Sequence, residues 1–224
     1  MYLSELARAS AMPIRFDREY RKIDAANMET RKEETGEMIV EGYATTFNQP
    51  YRLMGDDKVT VNEQVDRNAF AETDMSDVIM QYDHEGRVFA RIANGTLKLE
   101  ADDHGLKITA NLGGTEIGRQ LFEEIQGGYT NKMSFGFTVA DEKKERSKAE
   151  DGHVTILRTI TKIGKLYDVS AVSLPANDAT EISSRKISDG LIAQAQEEIR
   201  AEEERQRRIG EIRKILKGEK TDDQ

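Results

Sequence analysis

The chain has 224 residues, no cysteine, 33 Lys+Arg against 42 Asp+Glu, and a formal net charge of −9. The absence of cysteine excludes a disulfide framework, a thiolate zinc site, an iron–sulfur cluster and a cysteine nucleophile. The acidic surplus disfavours sequence-independent binding to nucleic acid. There is no apolar run of membrane-spanning length and no apolar signal-peptide core, so we expect neither membrane attachment nor secretion.

Short segments rich in β-branched and aromatic residues run through most of the chain, and several alternate apolar with polar residues as half-buried strands do. These segments span residues 38–46, 58–61, 77–82, 88–92, 96–100, 106–112, 133–140, 154–163 and 166–174. Turn signals at 94–95 and 102–105 predict a hairpin meander over residues 88–112. The highly charged stretch 141–153 predicts an exposed hairpin loop.

Two helices are predicted between the strands. One is short and covers residues 66–75; the other covers residues 115–127, where Thr115 can cap the start, three apolar residues at four-residue steps share a face, and a glycine pair can end it. Together the elements predict a mainly β protein with flanking helices, built as a closed or nearly closed β-barrel of about seven to nine strands. This barrel would occupy residues 1–184.

Residues 185–224 differ in composition from the rest, with 10 Lys+Arg and 10 Asp+Glu. Ser188-Asp189 offers an N-cap, and isoleucine, alanine and leucine recur at three- and four-residue steps, so the segment predicts a long charged helix. Its apolar stripe is too thin for a core element. Two interpretations stay open, a solvated helix and a helix for docking or coiled-coil self-association.

The chain has three histidines, which makes the search for a general base short. His104 and His153 lie in predicted loops and are most simply surface residues. His84 follows the strand-like segment 77–82, which places an imidazole at a strand end. A structural or solvent-facing role remains open for it.

Ser134 lies between Met133 and Phe135 at the start of a strand, so its small hydroxyl faces away from its large apolar neighbours. A serine nucleophile needs a base, and the base needs a third group to orient it. The acidic candidates are Asp168, and Asp83 or Glu85 beside His84. Asp168 is preferred because adjacent residues of a strand face opposite sides, which makes Asp83 poorly placed to orient its own neighbour. Structural roles for Ser134 and Asp168 remain open, and no nucleotide-binding, zinc-protease or GxSxG motif is present.

Several motifs occur in a fixed order along the chain. Through them the chain resembles the prohead proteases of tailed bacteriophages of the HK97 type, which are serine proteases that mature phage capsids. The likeness runs from about residue 38 to residue 180. The motifs are Glu41-Gly-Tyr-Ala44, Asn68-Ala-Phe70, Gln81-Tyr-Asp-His-Glu85, Asn94-Gly-Thr-Leu97, Glu100 to Leu106, Gly128 with Met133-Ser-Phe-Gly-Phe137, and Asp168-Val-Ser-Ala-Val-Ser-Leu-Pro-Ala-Asn177.

The resemblance implies a fold similar to the herpesvirus assembly proteases, with Ser134 as nucleophile and His84 as general base. Asp168 matches the family's acidic position, where Glu is more common, so its carboxylate reaches one methylene less far. The resemblance further implies cleavage of the major capsid protein's scaffolding segment, and of the protein itself, inside the assembling prohead in the host cytoplasm. No cofactor, metal, nucleic acid or membrane is implied.

A different class of function remains open at this point. The chain could be a non-catalytic assembly factor that retains the protease fold and binds capsid subunits. The presence of a histidine, a serine and an acid at matching positions favours the enzyme, because a binding module does not need that set.

Overall fold

The computed structural model describes residues 18–23, 28–172 and 178–216, and over them the chain forms eleven strands and two helices. The strands are β1 Glu19–Ile23, β2 Glu29–Lys32, β3 Met38–Thr46, β4 Tyr51–Gly55, β5 Val59–Val65, β6 Ile79–Tyr82, β7 Glu85–Arg91, β8 Leu97–Ala101, β9 Gly105–Asn111, β10 Lys132–Lys148 and β11 Val154–Val172. The helices are α1 Glu116–Gln126 and α2 Asp178–Leu216.

The strands form two sheets, of seven and four strands. In the larger sheet the order is β1-β10-β11-β5-β4. The long strand β11 pairs antiparallel with β10 along one edge. Along its other edge it pairs parallel first with β5 and then with β6, which in turn pairs with β7. The smaller sheet is antiparallel, in the order β2-β3-β9-β8.

The predicted closed or nearly closed β-barrel is wrong. Within the described part of the chain both sheets are open, the larger running from β1 to β4 and the smaller from β2 to β8. Buried side chains of both sheets and of α1 belong to one apolar cluster. Two sheets that bury their apolar faces against a shared core need no closure. Of the predicted fold class, only the mainly β character is confirmed.

The main core is dense in aromatic and branched side chains near β10 and β11. Phe135 and Phe137 of β10 stack with ring centroids 4.5 Å apart, and Phe70 lies 6.5 Å from Phe135. Leu121, Phe122 and Ile125 of α1 are buried in the same cluster. This core supports β10 and β11 from one side and leaves their opposite face for other groups.

The charged C-terminal segment contributes to a second core, which its sequence did not predict. Leu191, Ala195 and Ile199 of α2 are buried against Val59, Val61, Val154 and Ile156. The helix also begins at Asp178, so Ser188 lies inside it and is not its cap. A narrow apolar stripe of one residue per turn is enough to pack α2 on the sheet, because the helix covers only a small apolar patch of β5 and β11.

Three local predictions meet different outcomes. Helix α1 is confirmed, with the Thr115 hydroxyl accepting a hydrogen bond from the amide of Gly118. Residues 66–75 are not a helix: the amides of Ala69, Ala71 and Thr73 each donate to the carbonyl three residues back, as in consecutive turns, and the Thr73 hydroxyl donates to the carbonyl of Ile163. The charged stretch 141–153 is largely strand, because β10 and β11 continue as a long antiparallel arm that turns after Lys148.

The predicted meander over residues 88–112 is half correct. Strands β8 and β9 form a hairpin through the turn at 102–105, where Asp102 accepts hydrogen bonds from two backbone amides. Strand β7, however, pairs with β6 in the other sheet. The Asn94-Gly95 turn therefore carries the chain from one sheet to the other.

Candidate active site

The candidate site lies on the face of the larger sheet turned away from Phe135 and Phe137. Ser134 of β10 is directly opposite Ser170 of β11, and Gly136 is opposite Asp168. Residues directly opposite each other, and residues two apart in a strand, share a face of the sheet. Ser134, Asp168 and Ser170 therefore lie together, and all three are fully buried.

A β-bulge immediately precedes the acid. Gly136 pairs with Asp168, but the next residue, Phe137, pairs with Leu166, which leaves Tyr167 without an opposite partner in β10. Bulges change the direction of neighbouring side chains and are common beside active sites. Here the bulge puts Tyr167 and Asp168 in different environments within one continuous strand.

His84 reaches this face from the two-residue turn between β6 and β7. Tyr82 pairs with Glu85, so Asp83 and His84 are the central residues of the turn, with φ of 48° and 62°. This left-handed conformation is uncommon outside glycine, although Asp and His adopt it more readily than most residues. The amide of Asp83 donates to the carbonyl of Ala171 at 3.0 Å, which holds the turn against β11.

The structure brings the three predicted residues into one hydrogen-bonded chain. His84 Nε2 lies 2.5 Å from Ser134 Oγ, and His84 Nδ1 contacts Asp168 Oδ2. An ionised carboxylate can only accept, so Nδ1 carries the proton and donates it to Asp168. In the neutral imidazole Nε2 is then the acceptor for the Ser134 hydroxyl. The Asp168 side chain reaches His84 despite being shorter than Glu.

Further residues that the sequence did not single out surround Asp168. Ser170 Oγ donates to Asp168 Oδ2 at 2.9 Å, and Arg18 Nη2 forms an ion pair with Asp168 Oδ1. Ser170 could have been found, since it lies two residues after the acid in the same strand and so shares its face. Arg18 precedes every segment that the sequence predicted as a strand, and its proximity depends on long-range pairing of β1.

Gly136 leaves the space in which these groups meet. A Cβ atom at this position would lie 2.4 Å from Asp168 Oδ1, 2.8 Å from a ring carbon of Tyr20 and 2.9 Å from Arg18 Nε. Such distances are below van der Waals contact. Any larger residue at Gly136 would therefore force Asp168, Tyr20 or Arg18 to shift.

The other ionisable residues weighed from the sequence lie elsewhere. His104 stacks edge-on against Tyr43, with centroids 4.6 Å apart, and His153 Nε2 lies 2.9 Å from Thr60 Oγ1. Neither is near Ser134 in the hydrogen-bond network. Across the described ranges, no three His, Asp or Glu side chains cluster as metal ligands, and neither helix has an apolar stretch that could span a membrane.

A serine, a histidine and an aspartate linked in this order form the arrangement found in serine hydrolases of several unrelated folds. The family model for the caudovirus prohead serine proteases matches residues 26–192, about three quarters of the chain. The chain belongs to this family of phage capsid-maturation proteases.

No curated protein matches the chain. Among solved structures, the capsid assembly protease of bacteriophage T4 is similar at 10% sequence identity and a TM-score of 0.37, over 71% of this chain and 99% of the other.

Proposed function

We propose that the protein is a serine endopeptidase that cleaves the scaffolding segment of the major capsid protein, and itself, inside the assembling prohead in the host cytoplasm. Ser134 is the nucleophile, His84 the general base and Asp168 the group that orients and stabilises His84. The observation that supports these roles best is the buried contact chain from Ser134 Oγ through both nitrogens of His84 to Asp168.

The first half of the reaction forms an acyl-enzyme. The Ser134 hydroxyl passes its proton to His84 Nε2 as Oγ bonds to the scissile carbonyl carbon, and the carbonyl oxygen takes up the electron pair. The tetrahedral intermediate then collapses, its C–N bond breaks, and His84 returns the proton to the leaving amine. Asp168 stabilises the imidazolium between these two transfers.

The second half releases the product. His84 Nε2 takes a proton from water as the water oxygen attacks the acyl carbon, and the ester bond to Ser134 Oγ breaks as the proton is returned. The same three side chains serve both halves, so loss of the Ser134 hydroxyl should abolish both.

Co-expression with the capsid protein tests the proposal. Wild type and Ser134→Ala are compared, and the products are identified by mass spectrometry; Ser134→Thr is a control that retains a hydroxyl. We expect a shortened capsid protein with wild type and the full-length capsid protein with Ser134→Ala. Equal processing by the two would contradict the proposal and favour a non-catalytic assembly factor.

Self-cleavage is tested separately, by expressing the chain without the capsid protein. We expect wild type to accumulate shortened forms of itself that Ser134→Ala does not produce. Mixing tagged Ser134→Ala with untagged wild type then separates cleavage within a chain from cleavage between chains. An intact wild-type chain under conditions in which the capsid protein is cleaved would remove self-cleavage from the proposal.

A further inference from the structure

Strand β1 lies beside the nucleophile although it precedes residue 26, where the family match begins. It pairs antiparallel with β10, so that Lys22 is opposite Ser134 and Tyr20 is opposite Gly136. By the alternation of strand side chains, Tyr20 and Arg18 belong to the face that carries the candidate site. Glu19 and Arg21 belong to the opposite face.

Tyr20 packs directly on the imidazole of His84. The two ring centroids are 4.4 Å apart and the ring planes are inclined at 62°, an edge-on arrangement. His84 lies in a two-residue turn, and Tyr20 packs on its ring from a different part of the chain. Tyr20 limits its rotation from the side of β1.

Arg18 is held between two aromatic rings. Its guanidinium carbon lies 5.0 Å from the ring centroid of Tyr20 and 4.7 Å from that of Tyr167, the bulged residue before Asp168. From this position it forms the ion pair with Asp168 Oδ1, an atom that accepts no hydrogen bond from the described residues. The other carboxylate oxygen is left to His84 and Ser170.

The opposite face of β1 is anchored by buried charges. Arg21 Nη2 donates to Glu63 Oε2 at 2.9 Å, and Arg158 Nη1 donates to Glu19 Oε2 at 3.0 Å. These four side chains are all buried. β1 is therefore fixed by ion pairs on one face while its other face contacts the candidate site.

We propose that β1 supplies two positioning residues to the catalytic centre, Tyr20 acting through His84 and Arg18 acting through Asp168. This inference rests on the proposed function. Tyr20 keeps Nε2 directed at Ser134, and Arg18 fixes the plane of the Asp168 carboxylate. Neither residue touches the reacting atoms.

The charge of Arg18 also predicts a pH effect with a definite sign. A positive charge next to Asp168 opposes protonation of His84, so its removal should raise the pH at which His84 becomes an effective base. The charged and titratable residues around His84 include Asp168 from β11, Tyr20 of β1 with Arg18 just before it, Asp83 in the same turn and Glu85 at the start of β7.

The test measures the rate of Ser134 labelling by a fluorophosphonate as a function of pH, with full-length protein. Tyr20→Ala should label about tenfold more slowly, whereas Tyr20→Phe, which retains the ring, should label at nearly the wild-type rate. The matched control is Tyr43→Ala, which removes a tyrosine from the edge-on pair with His104 and should leave labelling unchanged.

The second arm concerns Arg18. Arg18→Gln should shift the midpoint of the pH–rate profile upward by about one pH unit, and Arg18→Lys should restore the wild-type midpoint because it retains the charge. Arg67→Gln, which breaks an exposed ion pair with Asp103, is the control and should not shift the midpoint.

The outcomes separate this inference from the proposed function. Absence of labelling in wild type, or equal labelling in Ser134→Ala, would refute the proposed function. Normal wild-type labelling, with wild-type rate in Tyr20→Ala and wild-type midpoint in Arg18→Gln, would refute the role of β1 alone. If circular dichroism shows that Tyr20→Ala does not fold, the midpoints of Arg18→Gln and Arg18→Lys decide.

Discussion

Asp168 of β11 is contacted by His84 from the turn between β6 and β7, by Arg18 just before β1 and by Ser170 of its own strand. Its Oδ2 atom accepts from His84 and from Ser170, while its Oδ1 atom faces Arg18. A buried carboxylate is stable as an anion only when it is paired and hydrogen-bonded. The contacts that keep Asp168 ionised are the same ones that direct it at His84.

Asp168→Asn tests this role. An amide at this position can donate to Nδ1 and so favour the imidazole tautomer that cannot accept from Ser134, which should lower kcat/KM by about 10³–10⁴-fold. The measurement is the rate of capsid-protein cleavage. Asp74→Asn removes a half-exposed carboxylate paired with Lys165 and should cleave at the wild-type rate; equal rates for both variants would contradict the role of Asp168.

Gly136→Ala tests the packing around the acid. The added methyl group would overlap Asp168 Oδ1, Tyr20 and Arg18, so we expect fluorophosphonate labelling of Ser134 to fall at least about tenfold together with a loss of stability of about 1–3 kcal/mol. Gly114→Ala is the matched control, since a Cβ there meets nothing within 4 Å. A Gly136→Ala protein that labels as fast as wild type would refute the steric argument.

The sequence identified His84, Ser134 and Asp168 as candidates, because short motifs and strand alternation limit which side chains share a face. It did not identify Arg18, Tyr20 or the charge network of β1. Charged residues in a strand are expected to face solvent. Only the pairing of β1 with β10 reveals that Glu19 and Arg21 are buried.

At the scale of elements, the buried ion pairs connect three strands of the larger sheet. Glu63 of β5 lies between Arg21 of β1 and Arg158 of β11, and the hydroxyl of Tyr51 in β4 donates to it. Burial alone would raise the pKa of Glu63, but the charge and hydrogen bonds of Arg21, with the charge of Arg158, lower it to about 2. The folded state therefore depends on an ionised Glu63.

Glu63→Gln should be strongly destabilising. It removes the charge of one of the two carboxylates, Glu63 and Glu19, that both buried guanidinium groups contact. We expect the free energy of unfolding at pH 7 to fall by about 3–5 kcal/mol. Urea denaturation measures the change. The control, Glu100→Gln, breaks an exposed pair with Lys98 and should cost less than about 1 kcal/mol; similar costs for the two variants would show that the buried network contributes little.

The same carboxylate predicts an acid dependence of stability. Because the pKa of Glu63 is lowered from its ordinary 4.5 to about 2 on folding, its contribution is complete above about pH 4.5 and is lost as the pH falls towards 2. The loss should be on the order of 3 kcal/mol. Urea denaturation across this range should show a steeper fall for wild type than for Glu63→Gln, and parallel curves would contradict the assignment.

At the scale of the whole molecule, the two apolar cores hold different elements in place. The main core joins both sheets and α1 behind the candidate site, while the second core seats α2 on β5 and β11. Beyond residue 200 the described side chains of α2 are mostly exposed, as with Ile212. Only the first part of the helix thus belongs to the folded body, and a docking role for the remainder stays a prediction.

Two truncations test this division of α2. A chain ending after residue 200 should melt at nearly the wild-type temperature, whereas one ending after residue 184 loses Leu191 and Ile199 and should lose about 3–6 kcal/mol of stability. Thermal unfolding compares them. The chain that ends after residue 200 also tests the docking role. We expect it to have unchanged stability and reduced incorporation into procapsids, and normal incorporation would contradict a docking role.

The barrel prediction was wrong because periodicity reports which residues lie on a strand face but not which strands pair. β11 changes partner from β5 to β6 partway along its length, and β7 and β8 lie in different sheets despite the Asn94-Gly95 turn signal between them. Such pairings depend on contacts distant in sequence. Helix α1, whose capping and apolar face are local, was correctly predicted.

The position of β1 affects how members of this family should be compared and produced. The family match begins at residue 26, so a chain trimmed to that boundary would retain Ser134, His84 and Asp168 and lose β1, which pairs with β10 beside Ser134. On the proposal for β1, such a chain would lose activity even though these three side chains are retained. Alignments restricted to the matched region would likewise omit Arg18 and Tyr20, which contact Asp168 and His84.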